Sequence, residues 1–186
     1  MIEESVGWMA LVGRSGTVLA ATSMLALLAL AVAVLAPSSR LLVAGTGLSL
    51  AAVLGVTVVP TGGWRQFALT PGALDSIVAN LRPQAGDLTA WAYASDGPPN
   101  VALFVPLGFF LALLLRRPLA AAVVAVALSL AIECYQAALT TRVGAFADVV
   151  ANGLGALAGA AVAALLLALA PRARHHRGAG PVRQRV

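Results

Sequence analysis

The sequence predicts an all-α, polytopic integral membrane protein with about five transmembrane helices, and three observations predict it. Apolar residues fill 60% of 186 positions, charged residues only 10%, and the mean hydropathy is +0.93. Apolar runs of about 20 residues recur, the length needed to cross roughly 30 Å of hydrocarbon. Each run stops at Pro, Gly or Arg, which mark turns and membrane boundaries.

The first span is expected over Thr17 to Ala36, ended by Pro37-Ser38-Ser39-Arg40, and the second over Leu41 to Val59, stopped by Pro60 and Gly62-Gly63. Together they make up an N-terminal pair within residues 1–60. A polar stretch from Thr61 to Asp96 follows, too long for a tight hairpin. Its Trp64, Trp91 and Tyr93 suit the headgroup level, and Ala73 to Leu81 reads as a short helix with Asp75 near its start. This external segment, 61–98, is expected to lie on or dip into the outer interface; a plain solvated loop fits equally well. A three-helix core, 99–170, comes next. Its first helix, the third span, begins at Pro98-Pro99-Asn100 and ends near Leu115, with a kink expected at Pro106 and Gly108. The fourth span covers Leu119 to about Leu139, and the fifth about Asp148 to Ala170. Residues 171–186 read as a disordered basic tail.

Several function classes fall away at this level. Every basic residue is Arg, which with the high Ala, Gly and Val content reads as codon bias rather than recognition chemistry. Arg172, Arg174, Arg177, Arg183 and Arg185 supply five of the twelve. Beside a membrane helix such a tail anchors on anionic lipid, so no nucleic-acid partner is expected. Cys134 is the only cysteine, which excludes an intrachain disulfide; without a neighbouring His it reads as a small packing residue. His175 and His176 have no further ligands in the tail, so neither a metal nor another cofactor is expected. Glu3, Glu4 and Pro37 argue against a cleaved signal peptide.

Arginine also sets orientation. A cytoplasmic C-terminus puts Arg40, Arg116, Arg117 and the five tail arginines on the inside, eight in all, against Arg14, Arg65, Arg82 and Arg142 outside. The expected arrangement is a multi-pass membrane protein with the tail in the cytoplasm.

Against this apolar background a few polar residues stand out. Ser129, Glu133, Gln136 and Thr140 fall at helical spacing on the fourth span. Asp148 and Asn152 share one face of the fifth, which continues through Gly155 and Gly159, while Asn100 opens the third and Arg142 sits in the hinge. At about 1.5 Å per residue these groups lie roughly 7–15 Å from their span midpoints, all in one leaflet, the outer one in this orientation. A charged group at a helix centre costs roughly 2.5–3.5 kcal/mol on insertion scales and normally has a partner and a role. One reading makes Glu133, Arg142 and Asp148 an ion-pair network pinning helices, with Gly155 and Gly159 as a small-residue packing face. A second makes the carboxylates and amides the lining of a cavity that grips a polar headgroup or peptide.

These residues resemble the motifs of the VanZ-like family. Asn100 and the apolar run to Phe104-Val105-Pro106-Leu107-Gly108 are similar to its first motif, and Glu133-Cys134-Tyr135-Gln136 to its Glu-x-x-Gln. Arg142 with Asp148-Val149-Val150-Ala151-Asn152-Gly153-Leu154-Gly155 and Gly159 resembles the third, and Asn80-Leu81-Arg82-Pro83 weakly resembles an element before the first. The resemblance covers about Asn80 to Leu165 and leaves the first two spans outside. Many members carry an acid three residues before the Asp of the third motif. This chain has Ala145 there, which leaves the hinge without a paired carboxylate.

The resemblance implies a bacterial envelope membrane protein, of a family named for a member that confers low-level resistance to the glycopeptide teicoplanin. The resulting expectation is an outer-leaflet polar pocket for an envelope lipid or glycopeptide-like ligand, affecting antibiotic sensitivity. Glu133 would be the main acceptor, Gln136 and Asn152 orienting amides, and Arg142 a counter-ion. A rival reading is an enzyme with Glu133 or Asp148 as general base on a lipid headgroup. The lack of a His among these residues, and of a nucleophile pair or a metal cluster, weighs against it. A small carrier and a helix-packing scaffold stand as two further rivals.

Overall fold

In a bilayer no water can satisfy backbone N–H and C=O groups, so apolar runs of this length must satisfy them internally as helices. The computed structural model describes residues 15–36, 39–59, 68–83, 97–139 and 144–170. They form six helices: α1 (Gly16–Leu35), α2 (Arg40–Thr57), α3 (Ala73–Leu81), α4 (Gly97–Leu115), α5 (Pro118–Ala138) and α6 (Phe146–Leu169). All but α3 are long and apolar enough to cross a membrane. The fold is therefore an all-α polytopic membrane protein with five spans. The largest offsets from the expected spans are at the end of the second, Thr57 rather than Val59, and the start of the fifth, Phe146 rather than Asp148.

Local chemistry sets the ends. Ser15 caps α1, its hydroxyl accepting from the Val18 N–H at 3.4 Å. Arg116 closes α4 in the left-handed region at φ 53°, and Pro118 opens α5 at a position that needs no N–H donor. Within α2, the buried hydroxyls of Ser49 and Thr57 donate to the carbonyls of Gly45 and Val53, one turn back, at 2.7 Å each. The expected kink does not interrupt α4, which stays helical from Gly97 to Leu115 with Pro106 inside it.

The helices pack in a chain of contacts: α1 on α2, α2 on α4, α4 on α6, and α5 against both α4 and α6. The closest pair is α4 with α6, which run parallel. A Cβ added to Gly155 would strike the carbonyl of Val101, one on Gly159 that of Val105, and one on Gly108 that of Ala156. Only glycine lets two backbones approach so closely. Along this seam the core has two parts. Toward the Gly97 end, Val53, Phe104, Leu107, Ala125, Ile132 and Ala156 interlock; toward the Leu115 end, Ala112, Ala121, Ala122, Ala160 and Ala163 do so with almost no side-chain volume. The outward faces carry exposed Leu, Val and Met, such as Met24, Leu27, Val123 and Leu165, as a lipid-facing surface requires.

Candidate functional site

α4 and α6 both start where α2 and α5 end, so four helix termini meet at one end of the bundle. Each terminus leaves backbone donors or acceptors without intrahelical partners. Of the polar residues singled out in the sequence, Asn100, Glu133, Gln136, Asp148 and Asn152 belong to these helices.

At the rim, the Asn100 amide donates to Asp148 Oδ1 at 2.8 Å, tying the first turn of α4 to that of α6. At the same helix start, Glu133 is 2% exposed and its Oε2 accepts from the Ala145 backbone N–H at 3.1 Å. Ala145 is the N-cap residue of α6, and its methyl group has no acceptor to cap with. Glu133 of α5 thus supplies the acceptor that the helix itself lacks, next to the positive end of its dipole. Gly144 makes this reach possible: a Cβ there would collide with the Glu133 carbonyl and lie 2.9 Å from Ala137.

Gln136 does the converse. Its amide donates to the Thr57 carbonyl at 2.9 Å, and the Tyr135 hydroxyl donates to Val58 O at 3.4 Å, so the C-terminal end of α2 is satisfied from α5. An acceptor side chain thus meets a helix N-terminus and a donor side chain meets a helix C-terminus, one turn apart on α5. The Gln136 amide is accordingly spent on α2, away from the Glu133–Ala145 contact.

Deepest is the pair Asn152 and Ser129. The Asn152 Nδ2 donates to Ser129 Oγ at 2.9 Å, with Ser129 next to the middle of α5. Asn152 is 2% exposed, and its Oδ1 is buried without a hydrogen-bond partner. An orphan carbonyl oxygen in such surroundings costs about 1–3 kcal/mol. Asn100, Asp148, Glu133, Asn152 and Ser129 therefore form a polar column from the bundle end toward its middle. Pro106, Gly108, Gly155 and Gly159 belong to the paired helices α4 and α6, the three glycines on the seam between them. Arg142, Thr140, the aromatic residues Trp64, Trp91 and Tyr93, and the Arg-rich tail lie outside the described residues.

Residue reading misses three participants. The Ala145 N–H and the Thr57 carbonyl are backbone groups, invisible in side-chain chemistry. Gly144 carries a signal, a glycine just before the N-cap of a helix, but its sequence does not show what presses on it. Asn80, noted for its weak motif, bonds within α3: its amide donates to Ser76 O at 2.9 Å and Ser76 Oγ at 3.2 Å.

Five spanning helices, a glycine-lined parallel pair and a polar column at one end define the class: a polytopic helical membrane protein with a buried polar cluster. The family model described as VanZ/LLP1 matches residues 23–167, most of the chain, and the protein belongs to that family. The match starts within α1, so the second span and the larger part of the first, expected to fall outside the resemblance, lie inside it. Those spans carry no polar motif to mark them, yet the end of α2 is where Gln136 and Tyr135 bond. No curated protein and no solved structure shows a significant match to the chain.

Proposed function

We propose that this VanZ/LLP1 protein is a bacterial envelope protein whose polar column, in the outer leaflet, binds the polar part of an envelope component or a glycopeptide-type compound and so alters antibiotic sensitivity. The observation that carries the reading is the Asn152 Oδ1 atom. It is a buried acceptor without a partner, in a column whose remaining side chains are hydrogen-bonded. A ligand presenting an N–H or O–H to it removes the penalty of burying it unpaired. The class of ligand is then a polar group that donates hydrogen bonds, reaching in past Asn100 and Glu133.

A second reading has its own support. The bonds of Glu133 to Ala145 N and of Gln136 to Thr57 O are helix caps, which a purely architectural cluster also needs. Purification without detergent, followed by mass spectrometry of bound lipids and metabolites, separates the two. Binding predicts a chemically uniform polar or headgroup-bearing species at near-stoichiometric amount, reduced by Asn152→Leu. Retention of bulk lipid alone, unchanged by that variant, would leave the architectural reading standing.

The outer-leaflet assignment rests on arginine. The column lies at the end of the bundle opposite Arg40, Arg116 and Arg117, which are exposed at the two turns on the other side. A reporter fused after Arg185 is expected to be active only in a cytoplasmic format; activity confined to an external format would invert the topology.

A further inference from the structure

We infer that α3 is an interfacial anchor: its Leu74 and Val78 edge, together with Leu69, seats in the headgroup–acyl boundary of the leaflet that holds the C-terminal end of α5. Height comes first. The Ser76 hydroxyl donates to the Ala137 carbonyl at 2.8 Å, the Thr70 N–H donates to the Ala138 carbonyl at 2.8 Å, and Leu69 bridges to Leu139. α5 has 21 residues. At about 1.5 Å each they rise roughly 31 Å, close to the hydrocarbon thickness of roughly 30 Å. The last turn of α5 therefore lies at the edge of the hydrocarbon, and α3 is hydrogen-bonded to that turn.

The sequence of α3 then divides its faces. Ser76 docks on α5 and Asn80, four positions on, bonds back to it; Ala73, Ile77 and Leu81 are the other half-buried residues of the helix. Leu74 and Val78, also four apart, point away from the protein and are 78% and 70% exposed, and Leu69 is 69% exposed. Asp75, Ala79 and Arg82 are exposed on the remaining flank, with both charges there. α3 has nine residues and no buried side chain, so packing against the bundle does not account for its apolar edge. That edge continues the lipid-facing surface of the spans at the level where an amphipathic helix lies with its apolar side among acyl chains and its charges among headgroups. Lipid is the occupant that this height and this division of charge fit. The inference is independent of what the polar column binds.

The test uses the full chain in liposomes of phosphatidylcholine and phosphatidylglycerol, with Cys134→Ala as background and single cysteines at Leu74, Val78, Asp75 or Ala79 carrying a nitroxide. All four positions are exposed, so the label leaves the packing undisturbed. Collision with oxygen, which concentrates in hydrocarbon, and with a water-soluble nickel chelate reports the surroundings. Labels at 74 and 78 are expected to show an oxygen-to-nickel accessibility ratio several-fold above those at 75 and 79. Equal, nickel-dominated accessibility at all four would make α3 a solvated loop and overturn the inference. Protection of 74 and 78 from both reagents would overturn it too, pointing to a protein on that edge.

Discussion

Gly159→Leu is expected to remove most of the protein from the membrane. At this position even a Cβ collides with the Val105 carbonyl and comes within 2.7 Å of the Phe109 N. Both are backbone atoms of α4, so no side-chain rotation relieves the contact. Overpacking a well-packed core costs about 1–3 kcal/mol where side chains can shift, and a rigid backbone neighbour puts the cost at the upper end or beyond. Here the helices must separate along the whole seam, which also carries Gly155 and Gly108 and supports the Asn100–Asp148 bond at its end. Quantitative immunoblotting of membranes measures the outcome. Leu157→Ala is the control, since Leu157 lies two positions away on α6 and is exposed on the lipid side. Wild-type abundance of Gly159→Leu would show that α4 and α6 do not meet as described.

How much of this is legible in the sequence depends on which forces act alone. Hydropathy acts along the chain, so the five spans can be placed from residues such as Pro37, Pro60 and Pro118 that end the apolar runs. Helical periodicity puts Ser129, Glu133 and Gln136 on one stripe, and all three are buried. Periodicity does not say which neighbour a stripe meets. Glu133 and Gln136 stand on the same side of α5 but serve two different helices, because Ala145 offers a donor and Thr57 an acceptor at the two places α5 passes. In sequence, Ala145 reads as the loss of a paired carboxylate; in the structure it marks a helix start capped from a neighbour. Nothing in residue identity reveals that arrangement, which needs the pressing of Gly144 onto α5 to exist. The same limit hides the docking of α3: Ser76 and Asn80 are visible as small polar residues, while the Ala137 carbonyl that receives Ser76 belongs to backbone alone.

Under the proposed function, Glu133→Gln is expected to abolish the proposed effect on antibiotic tolerance while leaving membrane abundance near that of the wild type. The side-chain oxygen of Gln can still accept from the Ala145 N–H, so the cap on α6 survives. What is lost is the extra strength of a charged acceptor, net about 1.5–3 kcal/mol against about 0.5–1.5 for a neutral one, and the favourable charge at the helix N-terminus, about 0.3–1 kcal/mol. A bundle held by the α4–α6 seam and two core clusters tolerates a loss of that size. Glu133→Ala is the informative companion, because it removes the acceptor as well and leaves the Ala145 N–H without it; its abundance should fall. Tolerance to a glycopeptide-type antibiotic, measured at matched protein level against a strain lacking the protein, reads the result. If the Gln variant protects as well as the wild type, the carboxylate is only a cap, and the polar column is architecture. If protection disappears while the Gln protein stays folded and abundant, the negative charge acts on something besides the helix it caps, and the unpartnered oxygen of Asn152 one layer below is where to look for it.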